Sequence, residues 1–341
     1  MLRRCLLIAA LFLGLVAAAY SEPASSEDSA CLKTFQTEAD SVRPLVNSKL
    51  ARRFLDAVAH LPVPPARTLF QDAEKRYILP EDVTWQSVEQ KARLIPKPVT
   101  DELYYCTKYG TPLAYVRLID LLGQAGIHDV KGKRILDYGY GTVGHLRLLA
   151  CIGADAVGVD VDPFLAALYC RDDDEGRITV DGKEAGRITL VNGRWPGDKT
   201  AALRVGGQYD LIISKNTLKN GYIHPEREVD KQMLIDLGVS EEKFVKALHD
   251  ALKPGGHLMI YNICPAPAPP DKPYRPWADG RCPFSRKLLE STGFKVIELD
   301  RDDSKAVRDM ARAFSWDKGS YAMDLENDLF AHYTLLRRPA H

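Results

Sequence analysis

Neither sign of charge is in excess in this chain. Lys+Arg and Asp+Glu are both 46, and the formal net charge is zero. No stretch of Lys and Arg is dense enough to form a local basic patch. The electrostatic term that dominates nucleic-acid affinity is therefore missing, and a nucleic-acid substrate is disfavoured. Cysteine is sparse and unpatterned. Cys5 lies in the N-terminal apolar stretch; Cys31, Cys106, Cys151, Cys170, Cys264 and Cys282 make no C-x-x-C and no His/Cys cluster with zinc spacing, so no metal is expected. Cys264 and Cys282 flank one loop and could close it as a disulfide in an oxidising compartment. The apolar run Cys5 to Val16 falls short of the ~20 residues a spanning helix needs. It follows Arg3 and Arg4 and precedes Ala17-Ala18-Ala19, the layout of a signal peptide over residues 1–21. The mature chain would begin near Tyr20 or Glu22, secreted or periplasmic, with no stable membrane insertion after cleavage. The remainder, within 341 residues of 45% hydrophobic composition, suffices for one large or two modest domains.

The most informative stretch runs from Arg134 to Asp160, RILDYGYGTVGHLRLLACIGADAVGVD. A short apolar run (Ile135, Leu136) ends at Asp137, and Gly139, Gly141 and Gly144 follow. Val143, Leu146 and Leu149 then recur at helical spacing. A second apolar run, Ala156 to Val159, stops at Asp160. This pattern is a strand, a glycine turn, a helix and a strand with an acid at its tip, a unit that binds the adenosine half of a cofactor. The glycines let the backbone approach the ligand, and Asp160 can accept both ribose hydroxyls. GYGTVG also fits G-x-G-x-x-G, and Asp160 follows Gly139 at about the 20 residues of the dinucleotide fingerprint. An NAD-dependent oxidoreductase is thus an alternative. Against it stands Asp137, a carboxylate that would repel a pyrophosphate.

Downstream, Tyr209-Asp210-Leu211-Ile212-Ile213-Ser214 reads as a buried parallel strand. Ala251-Leu252-Lys253-Pro254-Gly255-Gly256-His257-Leu258-Met259-Ile260 reads as a helix end, a tight turn and a strand. In this order D-x-G-x-G, the acid after the second strand, YDLII and LKPGGxL resemble the class I S-adenosylmethionine-dependent methyltransferases. The resemblance covers roughly Ile127 to Arg338. The family often has its third glycine where Val143 stands; this chain has Gly144 instead. The resemblance implies an α/β fold: a doubly wound, mostly parallel seven-stranded sheet, Rossmann-like, with the last strand antiparallel. It also implies S-adenosyl-L-methionine as cofactor and a small-molecule acceptor. Export would separate such an enzyme from the cytosolic supply of that cofactor. A third alternative is an exported, non-catalytic protein that retains the fold.

Residues 22–126 read as a helical extension or lid, and 127–341 as the methyltransferase-like domain. Leu32, Phe35, Ala39 and Val42, then Leu50, Phe54 and Ala57, repeat at helical spacing around Pro44, before a proline-punctuated region. Thr111-Pro112 starts a further helix. Gly176-Arg-Ile-Thr and Gly186-Arg-Ile-Thr around Asp181-Gly182 read as a hairpin whose second arm is a parallel strand. On the family pattern Asp137, Gly139, Gly141 and Gly144 surround the methionine part of the cofactor, with Asp137 near its ammonium. Asp160 takes the ribose hydroxyls. Asn192 stands where the family often has an acid for the adenine amino group; a turn residue is the other reading. Asp162 is a helix N-cap. Ser214 to Thr217 are expected near the transferred methyl group. The N/D-P-P-Y/F/W signature of amino-methylating DNA enzymes is absent there. Lys215 would bind an anionic substrate, act as a base if desolvated, or be a solvated surface group. His224 is the general-base candidate, with a plain loop histidine as the other reading. Tyr104, Tyr105 and Tyr109 either pack the extension or close over the site, with packing favoured for at least two of them.

Overall fold

A computed structural model describes residues 29–320 and 322–340, so the expected leader lies outside the described residues. Eight strands form the main sheet, and their alternation writes two cores. The strands are β4 (Arg134–Tyr138), β5 (Asp155–Asp160), β6 (Gly176–Val180), β7 (Lys183–Asn192), β8 (Tyr209–Lys215), β9 (Leu252–Cys264), β10 (Lys295–Asp302) and β11 (Phe330–Arg337), in the order β10-β11-β9-β8-β4-β5-β7-β6. Strands β4, β5, β7, β8 and β9 run parallel; β11 is antiparallel to both β9 and β10. Leu136, Val157, Ile212 and Leu258 meet Phe244 and Leu248 on one face, whereas Ile135, Ala156 and Ile213 meet Leu146 and Leu149 on the other.

The expected seven strands are present, and β6 makes an eighth. It pairs with β7 as the antiparallel arm of the expected hairpin, around Asp181 and Gly182, both at positive φ (51° and 72°). The N-terminal extension is only partly helical, which corrects the expectation. Between its helices β1 (Thr68–Gln71), β2 (Tyr77–Ile78) and β3 (Ile95–Pro98) form a small antiparallel sheet, order β2-β1-β3. Pro96 and Pro98 sit in β3, an edge strand, where a missing N–H costs no ladder bond.

Nor does residue 126 mark a break in packing. Helices Ala30–Val42 and Lys49–Asp56, N-capped by Ser29 and Ser48, place Phe35, Leu50 and Phe54 in the same core as Ile135 and Leu146. Asp120, on helix Val116–Gln124, accepts the main-chain N–H groups of Asn47 and Ser48 at 2.9 and 2.7 Å. The Thr111-Pro112 start is a 3-10 turn, Pro112–Tyr115, that leads into that helix. Cys264 and Cys282 are separate buried thiols, so the possible disulfide is not formed. The Asp300 carboxylate holds the Cys282 main-chain N–H at 2.6 Å, and Cys264 packs on Gly280 instead. Among the described residues no helix is long and apolar enough to cross a membrane, and no cluster of His, Cys, Asp or Glu could hold a metal ion.

Candidate functional site

Sheet order places the site. The chain leaves β4 toward β5 on one side, and β8 returns to pair with β4 on the other. The loops after β4 and β8 therefore diverge, and open α/β sheets bind ligands in that crevice. A cleft of about 930 Å³ opens here, lined by Gly139, Gly141 and Asp160 from the β4–β5 side and by Lys215 and Trp277 from the β8 side, with Thr217 packed on Gly139 between them.

The β4–β5 wall is set by main-chain geometry. Gly139 and Gly141 have φ of 78° and 59°, left-handed values that favour glycine. A Cβ on Gly141 would lie 2.9 Å from the Tyr109 ring, which rests on the turn. The turn aims the Gly141 N–H at Asp160 Oδ2 (3.1 Å), while the Asp162 N–H donates to Oδ1 (3.0 Å). Burial pushes the Asp160 carboxyl upward, and these N–H groups oppose the shift. Asp162 caps helix Pro163–Leu168 as expected and also accepts from Tyr109 Oη and Lys108 Nζ, each at 2.7 Å. Tyr109 thus bridges the extension and the cleft, whereas Tyr104 and Tyr105 are buried packing residues.

Several expected ligands face elsewhere. Asp137 is 0% exposed and does not line the cleft. Its Oδ2 is shared by His145 Nε2 (2.5 Å) and Tyr115 Oη (2.9 Å), and Tyr115 stacks on the His145 ring at 3.6 Å. Burial lowers the His145 pKa, against the pull of Asp137, and raises that of Tyr115. Asp137 therefore positions Tyr115, which does line the cleft. Gly144 is the first residue of helix Gly144–Cys151 and lets Pro112 and the Tyr105 carbonyl approach; it is a packing glycine. Ser214 Oγ is buried and donates to the Tyr138 carbonyl at 2.9 Å, a latch between β8 and β4. The Asn192 amide turns back to the carbonyls of Asp160 and Asp162 (both 3.4 Å), outside the cleft. His224 is likewise outside, its side chain 46% exposed and its Nε2 2.9 Å from Glu241 Oε2. The helical turn Asn220–Ile223 points Tyr222 into the cleft and carries His224 past it.

Lys215, the last residue of β8, is the opposite case. It is 8% exposed yet lines the cleft, with Nζ 5.3 Å from the centre of the Tyr115 ring. Burial, helped by the charge of Lys219 and opposed by Asp137, pushes its amine down to about 8. Lys219, whose Nζ donates to the carbonyls of Ile263 (2.6 Å) and Trp277 (3.1 Å), is also pushed to about 8 by burial. The sequence reading missed Tyr115 and His145. Tyr115 ends the Pro112–Tyr115 turn, and no spacing in the chain pairs it with a histidine 30 positions later, beyond a helix, a strand and the glycine turn.

No protein-family model matches the chain, and no curated protein matches it. Solved structures do. The [4+2]-cyclase SpnF is 17% identical at a TM-score of 0.37, over 66% of this chain and 81% of that one. A sarcosine dimethylglycine methyltransferase structure from Galdieria sulphuraria is 16% identical at 0.36, over 66% and 88%. Phosphoethanolamine N-methyltransferase 2 of Haemonchus contortus, solved with phosphomonomethylethanolamine and S-adenosylhomocysteine, is 16% identical at 0.40, over 72% and 62%. All three TM-scores fall below 0.5, so the reading of the site rests on its own geometry.

Proposed function

We propose that the protein is an S-adenosylmethionine-dependent methyltransferase acting on a small-molecule acceptor. The observation that carries this reading is Asp160: a carboxylate at the β5 tip, held by main-chain N–H groups beside a left-handed glycine turn, open to a cleft large enough for a nucleoside and a second small molecule. Its oxygens can accept the ribose hydroxyls in place of those N–H groups or beside them.

The same geometry speaks against a dinucleotide. NAD enzymes seat the pyrophosphate on the N-terminus of the helix after the glycine turn. Here that helix end is covered. The Val143 N–H donates to Tyr169 Oη at 3.2 Å, the Gly144 N–H to Thr142 Oγ1 at 3.3 Å, and Pro112 fills the space above Gly144. A sulfonium cofactor has no pyrophosphate and needs no such seat.

Bound there, the cofactor would supply an electrophilic methyl group for in-line displacement. The chain's part is then positioning and water exclusion. Gly139 and Gly141 bring the backbone close, and Asp160 orients the ribose. Tyr109 covers the turn from the extension, and Met233 to Ile235 also line the cleft. Thr217 packs on Gly139, and Tyr222 and Trp277 line the part of the cleft where an acceptor would lie. His224 is not a general base in this reading. Residues 1–21 remain a proposed cleavable leader, testable by N-terminal sequencing of protein from its native host. Native mass spectrometry of the purified protein tests the cofactor: retained S-adenosylmethionine or S-adenosylhomocysteine supports the reading, and retained NAD overturns it.

A further inference from the structure

Five cations line the cleft; Lys231 is exposed to solvent, and of the other four three are committed. Lys108 pairs with Asp162 at 2.7 Å, Arg194 pairs with Asp236 at 3.0 Å, and Lys219 donates to two carbonyls. Lys215 is the exception. More than nine-tenths buried, it reaches the cleft, and among the described residues its Nζ has neither a hydrogen-bond acceptor nor an ion-pair partner. A buried amine without a partner is costly, and the cost is offset when an anion arrives.

Its place in the sheet says which anion. Asp160 ends β5 and Lys215 ends β8, with β4 and its glycine turn between them. Two strand spacings separate the tips, about 10 Å. That span matches an amino-acid chain attached at the 5′ carbon of a ribose held by Asp160. The chain would cross the glycine turn and end at Lys215. The carboxylate expected at that end, Asp137, is turned away into Tyr115 and His145. The group that reaches the cleft at that end is thus the Lys215 amine, with the Asp137 carboxylate behind it, where the sequence led us to expect the carboxylate itself.

We infer that Lys215 is a specificity determinant that pairs with the α-carboxylate of the cofactor's amino-acid end and so selects the carboxylated cofactor over its decarboxylated counterpart. This rests on the methyltransferase reading. Discrimination follows from both halves of the contact: a charge-assisted hydrogen bond to the carboxylate, and repulsion of a ligand that brings only an ammonium.

Titration calorimetry with two probes tests it. S-adenosylhomocysteine and S-adenosyl-3-thiopropylamine differ only in the α-carboxylate. The wild-type protein should bind the first at least ~10-fold more tightly, and Lys215→Met should bring that ratio to about one by weakening S-adenosylhomocysteine and relieving the repulsion of the amine probe. Lys215→Arg should keep most of the ratio. Retained binding of S-adenosyl-3-thiopropylamine by Lys215→Met shows that the variant's cleft is intact; should Met fold poorly, Lys215→Gln gives the same readout. A ratio unchanged in a folded Lys215 variant overturns the inference while leaving the methyltransferase reading standing. A wild-type protein that binds neither probe overturns both.

Discussion

The two walls of the cleft are held by different means. On the β4–β5 wall, Asp160 is fixed by two main-chain N–H groups that the glycine turn and the Asp162 cap deliver. On the β8 wall, Lys215 is held without a hydrogen bond or ion pair, buried against Tyr115 from the extension, near Lys219 from the following loop and in the field of Asp137. The first wall is a local structure, encoded within one strand–turn–helix–strand unit. The second is assembled from segments far apart in the chain, among them Tyr115, Lys215, Ile263 and Trp277. A local wall tolerates change elsewhere and fails at its own residues. An assembled wall responds to substitutions that never touch the ligand.

The largest expected effect lies on the local wall. Two charge-assisted hydrogen bonds to a ribose diol are worth about 1.5–3 kcal/mol each. Asp160→Ala should therefore weaken S-adenosylhomocysteine binding by ~100-fold or more with the melting curve little changed. Unaltered affinity in the folded variant would remove Asp160 from the site.

On the assembled wall the next effect is one of stability. The Lys215 amine is pushed down to about 8 by burial, whereas in the unfolded chain it titrates near its ordinary 10.5. Between those values the unfolded state binds more protons, so stability rises with pH across that window. Below pH 8 the penalty is present in full, of the order of 3 kcal/mol. Lys215→Met should be the more stable protein at pH 7, and its advantage should fade between pH 8 and 10. Lys219 titrates in the same window, as other groups can, so the difference between the two proteins is the quantity to follow by denaturant melts. An advantage independent of pH would mean that the amine is not desolvated.

A smaller loss is expected at Tyr115. Tyr115→Phe removes its hydrogen bond to Asp137, leaves His145 as that carboxylate's partner, and should cost about 1–2 kcal/mol by thermal melting. A neutral result would show that Asp137 is satisfied by His145 alone. The smallest effect belongs to His224. It faces Glu241 rather than the cleft, so His224→Ala should leave turnover within about twofold, against the ~10²–10⁴ that removal of a general base costs. A loss of that size would restore His224 to the chemistry.

The same contrast explains what could be read from the sequence. The alternation of apolar runs with helical spacing announced the parallel sheet and its antiparallel last strand, because consecutive parallel strands require crossovers. The turn at Gly139 and Gly141 was legible because its left-handed backbone demands glycine at those positions. The orientation of Asp137 was not. A carboxylate before a glycine turn points toward the ligand or into the core according to what packs behind it, and Tyr115 and His145 come from two other elements. Asn192, Ser214 and His224 failed for the same reason. Each lies at or just beyond the carboxyl edge of the sheet, yet a partner on another element turns its side chain away. The small sheet over residues 68–98 was hidden by its prolines, which punctuate a sequence as loops do and are tolerated in an edge strand.

The central claim is that this cleft holds an S-adenosyl cofactor across the β5 and β8 tips. Calorimetric titration of the full chain with S-adenosylhomocysteine, run beside NAD, tests it most directly. The account predicts saturable binding of S-adenosylhomocysteine that Asp160→Ala weakens by ~100-fold or more and no comparable heat from NAD. Saturable NAD binding with no response to S-adenosylhomocysteine would contradict it.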